Sequence, residues 1–414
     1  MRRSMREDAK IIIDRAIQAV LPDEAVRRTL QGREFFGRVV LVAAGKAAWQ
    51  MAHAAYQCLG KRIETGVVVT KYGHVKGPIA NFICYEAGHP IPDENSFKGT
   101  QAALEATSGL TKRDTVLFLL SGGGSALFEK PLISGPELQD ITNQLLSSGA
   151  DIVEMNTIRK RLSAVKGGRF AQLCAPARIF SVVLSDILGD PLDMIASGPA
   201  CPDPSTCEEA RAIIEKYRLK LSDTVLNLLG QETPKKLEHV ETLVVGSVQE
   251  LCSAAADACK TLGYEPAILT DFLCCQAKEA GSFLASIAKS HAAKGRSLAF
   301  LAGGETVVHL TGHGKGGRNQ ELALAAAAGI AGLDNVLIFS VSSDGTDGPT
   351  DAAGGIVDGQ TAQTLAEQGF QIHQVLRNNN AYFALQSVGG LVMTGPTGTN
   401  VNDVAVVLIQ SKSK

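Results

Sequence analysis

Two glycine-rich loops, each directly after a short apolar run, carry residues suited to bind an anion. One is Gly45-Lys46 after Val39–Ala43, and the other, after Thr115–Leu120, consists of Ser121, Gly122, Gly123, Gly124 and Ser125. Glycine lets backbone N–H groups approach a ligand because it has no Cβ in the way. N–H groups at the start of a helix form a natural anion site. The loops therefore predict binding of phosphate or carboxylate groups, and the alternative is a pair of tight strand-to-helix turns.

Lys46 follows a strand-end glycine and stands where a helix is predicted to begin. A cation at a helix N-terminus opposes the helix dipole, which favours a ligand-binding role over that of a solvated surface lysine. The loop is not a Walker A motif, because no glycine lies five residues before Gly45 and Ala47 stands where serine or threonine is required. We expect Lys46 to contact an anionic group of a substrate.

Two further loops follow predicted strands and contain acidic or hydroxyl groups. Asp186 comes directly after Arg178–Ser185, and a later loop consists of Gly303, Gly304, Glu305 and Thr306. In open α/β sheets, ligands bind at the carboxyl ends of the strands. Both loops are therefore candidates for contact with the same class of ligand.

Three carboxylates follow the predicted strand Val336–Val341, namely Asp344, Asp347 and Asp351. Mg²⁺ at a phosphate site takes one or two carboxylates, and water and phosphate oxygens complete its shell. We expect Asp344 and Asp347 to bind Mg²⁺. An Asp/Gly-rich surface turn is the open alternative.

Lys315 and Arg318 lie in the segment GHGKGGRNQE. Arg318 stands between a glycine turn and a predicted helix start, where a guanidinium could stabilise charge on a transferring phosphoryl group. Gly312–Gly317 also matches the dinucleotide fingerprint G-x-G-x-x-G after a predicted strand, Thr306–Leu310. A reductase is therefore the competing interpretation of this segment.

The segment Asn156–Arg169, NTIRKRLSAVKGGR, concentrates five basic residues. Charge runs are usually solvated. We expect most of these side chains to lie on an exposed helical face, away from a ligand.

Composition excludes several classes of function. The chain has 414 residues, a formal net charge of -2 and 5% aromatic residues, so binding of nucleic acid or of anionic membranes is not expected. No apolar run is long enough for a membrane helix. The nine cysteines include no C-x-x-C pair, which favours a reduced, cytoplasmic location. The oligomeric state stays open, with a homodimer as one option.

Short apolar runs alternate with longer helical stretches along the whole chain, for example Val39–Ala43 with Ala47–Leu59 and Val336–Val341 after Asn319–Ile330. This order predicts an α/β fold with mostly parallel, doubly covered sheets. The polar segment Gln231–Lys236 predicts a domain boundary.

Taken in order, these loops resemble the class II glycerate kinases, or glycerate 2-kinases, of the MOFRL family. The segments that carry the resemblance span nearly the whole chain; they are Gly45–Ala48, Ala87–Ser96, Leu120–Leu127, Asn156–Arg169, Leu184–Pro199, Gly303–Val308, Gly314–Leu324, Ser342–Gly355 and Thr394–Val404.

The resemblance implies phosphorylation of D-glycerate to 2-phosphoglycerate by ATP with Mg²⁺. It also implies two α/β domains, the larger one Rossmann-like with a mostly parallel sheet, and an active site in the cleft between them. We expect the first domain to comprise residues 1–235, with 380–414 returning to it, and the second to comprise residues 236–379.

The family's essential lysine maps onto Lys46, and its cleft arginine maps onto Arg318. Asp186 is the first choice to orient or deprotonate the glycerate hydroxyl. Arg161 departs from the pattern, since many relatives carry histidine there, and this leaves fine substrate preference open. The alternatives are an NAD(P)H-dependent hydroxypyruvate reductase, a label that some relatives carry, and a nucleotide-binding protein without catalysis. Which loop binds ATP and which binds glycerate stays open.

Overall fold

The computed structural model describes residues 3–411. Its α-helices are α1 Met5–Ala19, α2 Pro22–Leu30, α3 Ala48–Leu59, α4 Glu94–Ala106, α5 Gly124–Leu127, α6 Gly135–Ser147, α7 Ile152–Arg161, α8 Arg169–Cys174, α9 Cys207–Tyr217, α10 Asp223–Leu229, α11 Val248–Thr261, α12 Ala277–His291, α13 Arg318–Gly329, α14 Thr361–Glu367, α15 Ile372–Arg377 and α16 Ala381–Ser387. Its strands are β1 Val39–Ala44, β2 Ile63–Lys71, β3 Phe82–Ala87, β4 Thr115–Leu120, β5 Arg178–Leu184, β6 Val240–Gly246, β7 Glu265–Leu273, β8 Leu298–Gly304, β9 Val336–Ser342, β10 Gly354–Asp358, β11 Leu391–Val392 and β12 Asp403–Ile409.

The described chain forms two compact units. Residues 22–185 and 190–245 make one, called here the parallel-sheet unit, and residues 3–21, 186–189 and 246–411 make the other, called the mixed-sheet unit. Across residues 3–411, no helix has both the length and the apolar character that crossing a membrane requires.

The parallel-sheet unit is built on six strands in the order β3-β2-β1-β4-β5-β6. The four pairs from β3 to β5 are parallel. This is the strand order of the Rossmann fold, in which the order reverses between the first and fourth strands. The fold prediction for the larger domain is confirmed.

An aromatic cluster stabilises the core of this unit. The ring of Phe170 lies 4.9 Å from that of Phe118 and 5.1 Å from that of Phe128, and all three side chains are fully buried. Burial of such rings contributes about 1.5–3 kcal/mol each. The same core includes Leu120 and Leu127, which lie on either side of the glycine loop in the sequence, so both ends of this loop are anchored in the core.

Local sequence signals determine where several helices begin. At the start of α7 the Asp151 carboxylate accepts the N–H of Glu154 (2.9 Å), and the Glu154 carboxylate accepts the N–H of Asp151 (3.0 Å). Thr206 and Glu209 form the same reciprocal pair at the start of α9. Such capping boxes satisfy N–H groups that have no partner inside the helix.

The mixed-sheet unit has the strand order β11-β10-β9-β12-β8-β7. Only β7 and β8 pair in parallel, whereas β12 runs antiparallel to both β8 and β9. The alanine-rich α13 is buried over Asn319–Ala327. Gly281 of α12 allows close packing against it, since a Cβ at Gly281 would lie 2.2 Å from the Leu322 carbonyl oxygen.

Three expectations about this part of the chain are wrong. The predicted domain bounds are wrong, because residues 380–411 do not return to the first domain, β12 lies at the centre of the second sheet, and the units divide at Gly246 rather than at 236. The second sheet is not mostly parallel, because the link from β9 to β10 contains no helix and the chain reverses direction. The predicted strand Thr306–Leu310 is irregular apart from one bridge between Val307 and Gln276.

Candidate functional site

The loops after β1 and β4 contact each other at the point where the strand order of the parallel sheet reverses. The Lys46 N–H donates to the Gly122 carbonyl (2.9 Å), and the Ala47 N–H donates to the Ser121 hydroxyl (3.0 Å). Gly45 has φ +122, and a Cβ there would lie 2.3 Å from the Ser121 Oγ. Glycine is therefore required at 45 by this close approach, and the two predicted anion loops form one continuous surface.

Histidine and lysine side chains from neighbouring strand ends gather around this surface. His89 and the Lys46 chain converge over Gly123, since a Cβ at Gly123 would lie 2.9 Å from the His89 Cδ2 and 3.2 Å from the Lys46 Cγ. The His74 Nδ1 lies 2.9 Å from the Lys46 carbonyl oxygen. Burial lowers the pKa of His89, and the positive charges of Lys46 and Lys71 and nearby His74 lower it further. This surface is therefore electropositive, as an anion site requires.

The Lys46 ammonium has neither an ion pair nor a hydrogen bond to any residue within 3–411. It is half-buried at the carboxyl edge of the sheet. A cation in this position is free to bind an incoming anion. The sequence analysis missed Lys71, His74 and His89, although their placement at strand ends was a usable signal.

The glycine loop after β4 rests on a buried lysine. The Lys166 Nζ donates to the carbonyl oxygens of Ser125 (2.9 Å) and Phe128 (3.1 Å) and pairs with Glu129 (2.9 Å). Burial lowers the pKa of Lys166 although Glu129 opposes the change. Lys166 therefore holds the loop from below and does not reach a ligand.

The expectation that the basic segment Asn156–Arg169 forms a solvated face is also wrong at its centre. Lys160 is buried and donates to Asp193 and Asp203 at 3.0 Å each. Arg161 is fully buried and donates to the carbonyl oxygens of Thr157 (2.9 Å) and Ser205 (2.8 Å). Arg161, which stands where many relatives carry histidine, therefore forms contacts within the protein interior.

A strained segment borders the same loop. Ala196 and Ser197 have φ values of 51 and 60, a left-handed conformation that costs about 1–3 kcal/mol per non-glycine residue. The Ser197 hydroxyl lies 3.2 Å from that of Ser125 and donates to the Asn156 side chain (3.0 Å). The strain holds a hydroxyl beside the glycine loop, and no sequence pattern predicted it.

In the mixed-sheet unit, the two glycines that end β8 serve packing within the protein. A Cβ at Gly303 would lie 2.3 Å from the Cys252 Sγ, and one at Gly304, where φ is +150, would lie 2.3 Å from the Leu273 carbonyl oxygen. The buried hydroxyl of Thr306 has no hydrogen-bond partner among residues 3–411. Of this predicted loop, Glu305 and Thr306 keep groups that a ligand can use.

Arg318 is the first residue of α13, and two carboxylates hold its guanidinium. Nε and Nη2 donate to the two carboxylate oxygens of Asp403 (2.5 and 3.0 Å), and Nη1 donates to Glu305 (2.6 Å). Burial lowers the pKa of Arg318, but the hydrogen bonds and charge of Asp403 outweigh it and raise the pKa above its ordinary value. Arg318 therefore stays charged while half-buried.

The two predicted metal ligands have different environments. Asp347 is buried, and its carboxylate accepts the N–H groups of Asn319 (3.2 Å) and Gln320 (2.9 Å) at the start of α13. Asp344 is half-buried, and its Oδ1 accepts from Ser342, from the Thr346 N–H and from the Thr346 hydroxyl. Within the part of the chain that the structure describes, no three His, Cys, Asp or Glu side chains are arranged to hold a metal ion.

An asparagine triplet holds the glycine turn that carries Lys315. The side chains of Asn378, Asn379 and Asn380 accept N–H groups of this turn, among them those of Gly312 (2.9 Å) and Lys315 (3.0 Å). The Lys315 ammonium lies 4.3 Å from the centre of the Tyr382 ring. Because the turn follows an irregular segment and not a strand, the structural context of a dinucleotide fingerprint is missing.

Asp186 is half-buried in the segment directly after β5, and its neighbour Ile187 is exposed. Asp186 therefore lies just beyond the carboxyl end of β5, as expected. Its assignment as the group that orients a hydroxyl stays a prediction.

Two family models match the chain. Residues 8–230 match a domain of unknown function, DUF4147, and residues 298–403 match the MOFRL family. The second match covers the segment from β8 to the start of β12, which includes Arg318, Asp344 and Asp347.

Relatives match over nearly the full length. The chain is 55% identical to a D-glycerate 2-kinase of Thermotoga maritima over 98% of this chain and 99% of that protein. It is 43% identical to a glycerate 2-kinase of Pyrococcus horikoshii, over 99% and 98% of the two chains. A crystal structure of the glycerate kinase of Thermotoga maritima superposes with a TM-score of 0.94 at 54% identity, covering 98% of this chain and 99% of that one.

Replacement of Asp347 by asparagine tests the cost of burying its carboxylate. Burial raises its folded-state pKa from the ordinary 3.8 to about 6. The group therefore contributes stability that is fully present below about pH 3.8 and is lost as the pH rises to about 6, by up to about 3 kcal/mol. Asp347→Asn should lack this loss. Between about pH 3.8 and about pH 6, the free energy of unfolding of the wild type should therefore fall relative to that of the variant. Urea denaturation at a series of pH values measures the difference, and parallel pH profiles would contradict the shift.

Proposed function

The chain belongs to the glycerate 2-kinase family, and from this premise we propose that it transfers the terminal phosphoryl group of ATP to the 2-hydroxyl of D-glycerate. The products are 2-phosphoglycerate and ADP. Full-length identity of 55% to a D-glycerate 2-kinase is the observation that carries the proposal. Its partners are accordingly small molecules, D-glycerate and ATP.

Phosphoryl transfer requires mainly that the protein position the reactants and neutralise their charge. Lys46 and the loop Ser121–Ser125 hold an anionic group in this proposal, either a phosphate of ATP or the carboxylate of glycerate. The Lys46 ammonium, which has no partner within residues 3–411, and the neighbouring Lys71 support the assignment. Glycine at 123 lets His89 lie close to the loop, because a Cβ there would be 2.9 Å from the His89 Cδ2.

Arg318 interacts with the phosphoryl group as charge develops on it. A guanidinium has five N–H donors, and three of those of Arg318 are used by Asp403 and Glu305. The remaining two are available to phosphate oxygens. Lys315, on the turn that precedes Arg318, adds a second positive charge.

Asp186 is proposed to orient the glycerate hydroxyl and to accept its proton. Phosphoryl transfer from ATP needs a residue in this role, because the attacking oxygen must approach in line with the leaving group. Its position after β5 supports the choice.

Mg²⁺ would accompany ATP, and Asp344 is the residue whose geometry fits it. The Asp344 Oδ2 has no hydrogen-bond partner within residues 3–411, so one oxygen is free to bind an ion together with water and phosphate oxygens. Asp347 does not fit, because its two oxygens accept helix N–H groups. When bound, the ion neutralises phosphate charge.

An assay with D-glycerate and ATP tests the proposal. 2-Phosphoglycerate is detected through enolase, which consumes this isomer directly, so that formation of 3-phosphoglycerate gives no signal until a mutase is added. We expect turnover with Mg²⁺, none in excess chelator, and no oxidation of NADH or NADPH by hydroxypyruvate. Saturable NAD(P)H oxidation would favour the reductase, silence in both assays would favour a non-catalytic nucleotide-binding protein, and full activity in chelator would contradict the metal requirement.

Lys46→Ala should remove activity and leave the fold intact. Loss of one preorganised charge contact lowers kcat/KM by at least about 100-fold. Because the ammonium has no partner among residues 3–411, the free energy of unfolding should stay within about 1 kcal/mol of the wild type. Steady-state kinetics and thermal unfolding measure the two effects.

Two further variants sharpen this test. Lys61→Ala removes an exposed lysine of the same unit and should leave turnover unchanged. Lys46→Arg should restore little activity, since a forked guanidinium does not replace a compact point charge. Near-normal turnover by Lys46→Ala would exclude the catalytic role, and a large fall in its melting temperature would identify Lys46 as structural.

A further inference from the structure

A buried carboxylate, Asp403, lies behind the guanidinium of Arg318. Asp403 begins β12, the strand that pairs with both β8 and β9, and its backbone stands opposite Gly304 on one side and Ser342 on the other. Its side chain is only 7% exposed. A residue in this central position has little freedom to move, so whatever it binds is held firmly.

The contact between Asp403 and Arg318 is bidentate. Nε and Nη2 donate to separate oxygens of one carboxylate, at 2.5 and 3.0 Å. Two parallel N–H···O bonds fix the plane of the guanidinium as well as its position. The two N–H groups without a partner, one on Nη1 and one on Nη2, are thereby held in a single orientation.

The other carboxylate on Arg318 has a different environment. The Glu305 side chain is 46% exposed, and it contacts only Nη1 (2.6 Å). A single contact from an exposed, flexible side chain restrains a partner weakly. Asp403, and not Glu305, therefore determines where the guanidinium points.

Burial of Asp403 carries a desolvation cost that Arg318 offsets only in part. A buried, unpaired carboxylate is destabilising, and replacing a buried ion pair by apolar residues is often neutral or stabilising. Burial raises the pKa of Asp403, and the hydrogen bonds and charge of Arg318 oppose the change. Such a pair is retained at little benefit to stability, which suggests that it serves catalysis.

We propose that Asp403 is the positioning residue for Arg318, holding the guanidinium so that its two remaining N–H groups meet the transferring phosphoryl group. The inference rests on the proposed function. Displacement of a catalytic group by about 1 Å can lower the rate by about 100-fold. Asp403 therefore acts on the chemical step through Arg318 without touching the substrate.

A double-mutant cycle of Asp403→Asn and Arg318→Ala tests the proposal. Asp403→Asn should lower kcat by about 100-fold and change KM for ATP and D-glycerate by less than about threefold. If Asp403 acts only through Arg318, the double variant should have the kcat of Arg318→Ala alone. The proposal would be overturned if the loss of kcat in the double variant equalled the product of the two single losses. It would also be overturned if Asp403→Asn changed KM alone.

A matched control separates positioning from stability. Arg6 and Asp358 form another arginine–aspartate pair in the same unit, with contacts of 3.1 and 2.7 Å, so Asp358→Asn should leave kcat unchanged. Asp403→Glu keeps the charge but lengthens the side chain, and it should fold with a lowered kcat. Collapse of the melting temperature in both Asp403 variants would mean a structural role and overturn the proposal.

The two hypotheses fail in distinguishable ways. Absence of 2-phosphoglycerate formation by the wild-type enzyme would overturn the proposed function and this inference with it. If the wild-type enzyme turns over normally but the two single losses of kcat multiply in the double variant, only the positioning role of Asp403 is overturned.

Discussion

Parallel strands all end at the same edge of a sheet, and the candidate anion site depends on this constraint. In the parallel-sheet unit the order reverses between β1 and β4, so the loops that follow these strands meet. Hydrogen bonds from Lys46 and Ala47 to the second loop join them. The joined loops place Lys46, which has no partner in the described part of the chain, beside backbone N–H groups. An unpaired cation and aligned donors are what an anionic substrate needs.

In the mixed-sheet unit, the cation proposed to act on substrate, Arg318, differs from Lys46 because it has carboxylate partners. Arg318 is held by a buried carboxylate and an exposed one, whereas Lys46 has no partner among the described residues. The difference follows from the side chains: a guanidinium has five donors and can be held by some while others bind a ligand, but an ammonium is a point charge. Orientation therefore matters for Arg318, and charge and location matter for Lys46.

Short-range features of the fold were predictable from the sequence. Strand β4 has the predicted bounds, and Gly45 and the loop Ser121–Ser125 follow their strands as expected. Features that depend on distant residues were not. Asp403 lies 85 residues beyond Arg318, the asparagine triplet is similarly remote from its turn, and the antiparallel direction of β12 depends on its neighbours in the sheet. The burial of Lys160, Arg161 and Lys166 was missed because most of their carboxylate and carbonyl partners come from other parts of the chain, Thr157 being the exception.

The central claim is that Lys46 and the glycine loops of the parallel-sheet unit bind an anionic group of a substrate. A crystal structure of the wild-type protein with a non-hydrolysable ATP analogue and D-glycerate tests it most directly. We expect a phosphate or carboxylate oxygen within about 3 Å of the Lys46 Nζ, with further contacts from the backbone N–H groups of Gly122–Ser125, since the Ser121 N–H already donates to the Ala44 carbonyl (3.0 Å). Both ligands bound with neither of them in contact with Lys46 or this loop would contradict it.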